Sequence, residues 1–222
     1  MQETKTASIG ADQSFPNFIV GPYNDAAVRI CRAVVASSSG QVVYVKGGVG
    51  SGKTHLFSAL KMELEENGSL VKMLSGERLC RMLSNGQGYD SLKAYDVLML
   101  DQVDIFRHFQ DLRYQLTNLL DSYIGKKILI NGDQDPKDNQ ILKEWWENHP
   151  KCTLVELFHP DYVDRVKMVS TLCQWYGLSM NEKFIHFTAK VSERSIRALV
   201  GEVKKWRLLK STGMSELEIE QA

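Results

Sequence analysis

The chain has 222 residues, 43% hydrophobic and 24% charged, a globular composition long enough for one full core and a small satellite. Its 27 basic and 27 acidic side chains cancel, which argues against retention on nucleic acid or an anionic membrane by bulk charge alone. The four cysteines (Cys31, Cys80, Cys152, Cys173) stand apart without a metal-ligand spacing, and the N-terminus has no apolar leader. We therefore expect no zinc site, no disulfide framework and no membrane span, and a reducing cytoplasmic setting.

In chain order, residues 1–14 are polar and read as a flexible N-terminus. Val42-Val43-Tyr44-Val45 is a buried strand by composition. It is followed by a glycine-rich turn and a helix with Leu56, Phe57, Leu60 and Leu64 on one face, stopped at Asn67-Gly68. Leu70–Leu74 reads as a second strand. Ser75 reads as the N-cap of a short helix bearing Leu79, Met82 and Leu83, ended by Asn85-Gly86-Gln87-Gly88. Val97–Leu100 is a third strand ending on Asp101, and a helix is predicted over 110–123. Ile128–Ile130 is a fourth strand running into Asn131-Gly132-Asp133, then a helix carries Ile141, Leu142 and Trp145, and Thr153–Leu157 is a fifth strand.

After His159-Pro160 the strand pattern stops, and three helical segments are predicted near 161–176, 181–190 and 193–210. This alternation predicts an α/β fold with a parallel five-stranded sheet plus a small C-terminal helical lid. The expected division is a core over 15–159, a lid over 160–210 and an acidic tail over 211–222 carrying Glu216, Glu218 and Glu220.

Gly47-Gly48-Val49-Gly50-Ser51-Gly52-Lys53-Thr54 fits G-x-x-x-x-G-K-[ST] between a predicted strand and a predicted helix, the P-loop context. Backbone N–H groups of such a loop close around phosphates at the positive end of the helix. Lys53 is expected to reach the β- and γ-phosphates, and Thr54 to bind Mg²⁺. Asp101, after Val-Leu-Met-Leu, fits the carboxylate that holds the metal. The next residue, usually acidic in hydrolytic members, is Gln102, whose amide orients water but accepts no proton; slow hydrolysis follows. Asp104 is expected to cap or solvate the next helix. Asn131 and Asp133 end the strand predicted to lie between the P-loop strand and the Asp101 strand. They contact a γ-phosphate or water, or else form a plain polar turn.

These residues resemble the AAA+ module of the DnaA family of bacterial replication initiators, most closely its short Hda-like relatives. Phe15-Pro-Asn-Phe-Ile-Val-Gly-Pro-Tyr-Asn24 is similar to the family's N-terminal segment, which places Val20, Tyr23 and Asn24 beside the adenine. Lys46 to Leu56 is similar to its P-loop, including His55-Leu56 after Thr54. Asn131-Gly-Asp-Gln-Asp-Pro-Lys137 resembles its sensor 1, His159-Pro-Asp-Tyr-Val-Asp-Arg165 the start of its lid, and Ser195-Ile-Arg-Ala-Leu-Val-Gly201 its sensor 2 helix. The resemblance implies a P-loop NTPase binding ATP or ADP with Mg²⁺. Gly47 through His55, Arg165 and Arg197 would contact the nucleotide, and Asp101, Gln102, Asn131 and Asp133 would form the catalytic group. It implies a regulator or adaptor acting on a replication initiator or another replication protein, with DNA contact and a dimer or oligomer allowed. A helicase loader and a non-hydrolysing, nucleotide-dependent scaffold are the alternatives.

The sequence departs from the family pattern in four places. It ends just after the lid, so neither the family's helix-turn-helix domain nor origin recognition in its manner is expected. Ser75 to Asp96 is short where initiators carry extra helices that grip single-stranded DNA. The stretch 138–150, where the family's arginine finger sits, has no arginine, so self-activated filament assembly is not expected. No sliding-clamp anchor of the Gln-x-x-Leu-x-Leu/Phe kind stands at the N-terminus, so the clamp is not an expected partner. Of Trp145 and Trp146, one is expected in the core and one at a half-covered rim. Lys204, Lys205, Arg207 and Lys210 read as a solvated basic face of the last helix rather than a DNA contact. The five histidines show no ligand spacing.

Overall fold

The structure is a computed structural model and describes residues 13–86, 89–149, 151–192 and 195–214. The expected loose N-terminus up to residue 12, the Gln87-Gly88 end of the first inter-strand turn and the acidic tail from residue 215 lie outside the described residues.

Five strands form one parallel sheet: β1 (Val42–Gly47), β2 (Val71–Ser75), β3 (Val97–Asp101), β4 (Lys127–Gly132) and β5 (Cys152–Leu157). Their order across the sheet is β2-β3-β4-β1-β5. The strands run past the apolar residues that announce them, because the parallel ladder continues through their polar ends. Val45 pairs with Asn131 and Lys46 with Gly132 on one side of β1, and Ser75 pairs with Asp101. The chemistry-bearing ends of β1, β3 and β4 therefore lie together at the carboxyl end of the sheet.

Both faces of the sheet are covered, which is why its central strands read as unbroken apolar runs. On one face Val43, Val45, Met99 and Leu129 meet α1 (Asp25–Ala36) and α2 (Lys53–Glu66); on the other Tyr44, Leu98, Leu100, Ile128 and Ile130 meet α3 (Gly76–Ser84) and α5 (Arg113–Asp121). Helix α1 is not among the elements expected from the sequence. Its buried face, Ala27, Val28, Cys31, Val34 and Val35, recurs at helical spacing and forms an apolar stripe at least as marked as that of α2. Ser75 caps α3 as expected, accepting from the Arg78 N–H at 3.3 Å. A four-residue helix, α4 (Tyr89–Leu92), follows before β3. The predicted helix over 110–123 resolves into a 3₁₀ turn, Gln110–Leu112, and α5.

Both tryptophans of α6 (Lys143–Glu147) are buried, Trp145 at 4% and Trp146 at 8% exposure, which corrects the expectation of one at a rim. This helix is a single short turn wedged into the core, so two directions about 100° apart both point inward. The Trp145 indole N–H donates to Asp121 at 2.7 Å and its ring stacks on His149, while Trp146 meets Tyr44 edge-on.

The last three helices, α7 (Tyr162–Trp175), α8 (Glu182–Val191) and α9 (Ile196–Ser211), pack on one another around Met168, Val169, Leu172, Ala189, Leu199 and Val203. Tyr23, from the segment before α1, joins this cluster. No helix among the described residues is long and apolar enough to cross a membrane.

Tyr44 is fully buried, yet its hydroxyl has no hydrogen-bond partner among the described residues. A desolvated, unsatisfied hydroxyl opposes folding. Tyr44→Phe should keep the fold and raise the unfolding free energy by about 1 kcal/mol, read from urea denaturation; a loss of stability would mean that the hydroxyl has a partner in solution.

Candidate functional site

The site begins where β1 ends. Gly50 and Gly52 take φ of 82° and 99°, left-handed backbone that favours glycine, and so the chain reverses into α2 within a few residues. No side chain caps α2, which leaves the N–H groups of Gly52, Lys53, Thr54 and His55 without intrahelical acceptors. All four residues border a cavity of about 660 Å³. Space around the loop is tight: a Cβ on Gly50 would come within 2.4 Å of Ser195 Oγ.

Lys53 is only 7% exposed. Its ammonium donates to the carbonyls of Gly47 and Gly48 and to Asp133 Oδ1, the last at 2.6 Å. Thr54 Oγ1 donates to the Asp101 carboxylate at 3.1 and 3.2 Å. Asn131, fully buried, donates from Nδ2 to Asp101 at 2.7 Å and accepts from the Gln102 N–H at 2.8 Å. Gln102 is, among the described residues, the one non-glycine with a left-handed φ, 62°. The residue facing it has to be small, since a Cβ on Gly76 would stand 2.4 Å from the Gln102 carbonyl oxygen.

Asp104 corrects its expected role. It neither caps nor solvates a helix; its carboxylate accepts from the N–H groups of Asp133 at 2.6 Å and Gln134 at 3.2 Å. Both oxygens are thereby engaged, and Asp104 holds the loop that presents Asp133 to Lys53. Glu77, at the start of α3, borders the cavity as well, with its carboxylate paired to Arg81 at 2.9 Å. The sequence reading missed it because its helix leaves a strand with no motif.

The opposite wall comes from α9. Ile196, Arg197, Val200, Gly201 and Lys204 face the cavity, and the Ile196 N–H donates to the Gly50 carbonyl at 3.2 Å. A second, more apolar cavity of about 180 Å³ adjoins it, with Gly52, His55, Ile196, Val200 and Lys204 common to both. Phe18, Tyr23, Met168, Leu172, Trp175 and Tyr176 complete its walls. Burial, with the Asp164 charge added, holds the Tyr23 phenol far above its ordinary range, so it stays a donor to the Ile19 carbonyl, at 2.9 Å.

Of the residues assigned to the nucleotide from the resemblance, Val20, Gly47, Gly48, Ser51 and Arg165 border neither cavity. Val20 is exposed, and Arg165 is a strut of the helical cluster, donating to the carbonyls of Ala189 and Pro160 at 2.8 and 3.0 Å. Asn24 does border the apolar cavity, while its amide ties the turn together through Gly21 N–H and the Ile19 carbonyl. Gly47, Gly48, Ser51, Asp101 and Asn131 stand behind the polar wall. The basic face of α9 is also more than solvated charge. Lys204 borders both cavities, Arg207 lies over the Tyr176 ring, and Lys210 donates to the Ser179 carbonyl.

The residues fit a nucleotide chemically. Uncapped N–H groups, a buried ammonium and Arg197, which enters no ion pair or hydrogen bond among the described residues, converge on the polar cavity, and Ser51 Oγ is buried behind the loop with no partner among them. Thr54 and Asp101 bring a hydroxyl and a carboxylate oxygen together, the hard-oxygen donors a divalent ion takes.

Residues 9–155 match the model of the bacterial DnaA ATPase domain. The chain belongs to this DnaA family. It is 27% identical to the chromosomal replication initiator protein DnaA of Flavobacterium psychrophilum, over 97% of this chain and 48% of that protein. The chain thus spans about half the length of the curated relatives it matches. Domain III of the Thermotoga maritima DnaA superposes with a TM-score of 0.79 at 23% identity, covering 96% of both chains. A replication initiator DnaA bound to AMPPCP and single-stranded DNA superposes at 0.81 and 22% identity, over 97% of this chain and 70% of that one. The expected fold, an AAA+ α/β core sheet with a helical lid, is the fold of these DnaA structures.

The Asp104 clamp makes a direct test. Asp104→Ala frees two N–H groups at once and should lower the unfolding free energy by about 2 kcal/mol, with faster amide exchange at Asp133 and Gln134. Unchanged exchange there would show that the loop is held by other contacts.

Proposed function

We propose that the chain binds ATP or ADP with Mg²⁺ between an α/β core over 15–159 and a helical lid over 160–210, as a DnaA-like regulator or adaptor in replication initiation with weak hydrolysis of its own. The observation that carries this reading is the convergence of Lys53, Thr54 and Arg197 on one cavity whose floor is an uncapped helix start, with Asp101 bonded to Thr54 just behind it. Lys53 and the first N–H groups of α2 would neutralise the β- and γ-phosphates. Thr54 and Asp101 would supply oxygens to Mg²⁺, which when bound offsets phosphate charge. Arg197 would carry the presence of phosphate to the lid, and the apolar cavity with Tyr23, Phe18 and His55 would take the base.

Asn131 would keep Asp101 and the Gln102 backbone in register, and Asp133 would stand where a γ-phosphate or a water meets Lys53. Gln102 orients a water without accepting its proton, so turnover would be slow. That same residue favours the second reading, a scaffold that uses nucleotide to set its shape. The named relatives support a replication initiator or another replication protein as partner, and the DnaA structure with single-stranded DNA supports contact with DNA.

Calorimetry with Lys53→Ala tests the reading: ATP and ADP binding should fall below detection, and parental affinity in the variant would refute the phosphate site. Gln102→Glu separates enzyme from scaffold. It should raise basal hydrolysis about tenfold, which needs roughly 1.4 kcal/mol off the barrier. A variant that binds Mg-ATP and stays silent, even with an initiator protein added, would favour the scaffold.

A further inference from the structure

Helix α9 runs along the seam between the two cavities. Ile196, Val200 and Lys204, spaced by four residues and so on one helix stripe, border both cavities. Arg197 and Gly201, one position further round, border the polar cavity alone. The helix thus grades from a residue pair facing only the phosphate side to a stripe standing over the junction. At the junction the remaining shared walls are Gln13, Gly52 and His55, and Lys204 is the one lysine or arginine on the apolar cavity. Lys204 is exposed and, among the described residues, enters no ion pair and no hydrogen bond. Its neighbours are differently occupied: Arg207 lies 5.2 Å over the Tyr176 ring, and Lys210 is engaged with the Ser179 carbonyl.

An uncommitted ammonium over the joint between a polyphosphate cavity and a base cavity is matched to one part of a ligand, the phosphate next to the sugar. We infer that Lys204 is a second cationic contact from the lid, directed to the 5′-phosphate proximal to the ribose of a bound nucleotide. This rests on the nucleotide reading above and deepens it. Lys53, Asp133 and Arg197 sit toward the distal phosphates, where ATP and ADP differ. Lys204 stands at the end that all nucleoside 5′-phosphates share. It therefore adds affinity without discriminating between ATP and ADP, and it engages the lid in both states.

The test is calorimetric titration of the full chain with ATP, ADP, AMP and adenosine, for the parent, Lys204→Ala, Lys204→Arg and the control Lys205→Ala. Lys204→Ala should weaken ATP, ADP and AMP by the same factor, roughly fivefold for one charge-assisted contact in an open groove, and leave adenosine unchanged. Lys204→Arg should restore most of the loss, and Lys205→Ala should match the parent. Equal affinities of Lys204→Ala and the parent for all three phosphates would overturn the inference while leaving the nucleotide reading intact. A loss confined to ATP would overturn it too, by moving the contact to the distal end. A parent that binds none of the four ligands would remove both the nucleotide reading and this inference.

Discussion

The arrangement depends on compensating one buried ammonium. Lys53 begins a helix just after β1, nearly shielded from water, and an uncompensated charge there would be costly. Two loop carbonyls and the Asp133 carboxylate meet it. Asp133 lies just past the end of β4, so β4 must neighbour β1, and the observed order places it there. The Asp133 loop is in turn held by Asp104, which follows β3, the next strand out. The order β3-β4-β1 is thus what lets three strand ends answer a single cation.

A parallel thread runs beside it through neutral and anionic oxygens. Thr54 bonds Asp101, Asp101 bonds Asn131, and Asn131 bonds the Gln102 backbone. Asn131 acts as donor and acceptor at once, so it fixes both the carboxylate and the left-handed turn that follows it. That turn carries strain of order 1 kcal/mol in a non-glycine residue, and it turns the Gln102 side chain to the cavity wall. Gly76 leaves the room the turn needs. Among the described residues no side-chain hydrogen bond joins the two threads; they are coupled through the backbone that links Lys53 to Thr54, Gln102 to Asp104 and Asn131 to Asp133.

Much of this was legible in the amino-acid sequence, for identifiable reasons. Buried parallel strands read as apolar runs, and the five strands fall where those runs are. The P-loop is contiguous, so its spacing alone names Lys53 and Thr54. What escaped depends on tertiary contact. Helix α1 is the exception, since Val28, Cys31, Val34 and Val35 recur at helical spacing and were there to be read. Asp104 looked like a helix cap because its true partners, the N–H groups of Asp133 and Gln134, lie about thirty residues away. Lys204 was read with its basic neighbours as one solvated face. Its distance of seven residues from Arg197, close to two helical turns, was the available signal that the two share a side.

The three-helix cluster touches the glycine-rich loop directly. Ile196 N–H, at the first position of α9, donates to the carbonyl of Gly50, and Ser195 Oγ packs where a Gly50 side chain would stand. His159, just before the lid helices, packs in the same way over Gly48. The loop is thus bracketed at two glycines by residues that precede the first and the last helix of the three-helix cluster. A rotation of that cluster breaks the Gly50 contact unless the loop follows. Glycine backbone is permissive, so the loop has the freedom to follow. Arg197 and Lys204 ride on the same helix as Ile196, so the Gly50 contact and both cationic side chains are carried by one element.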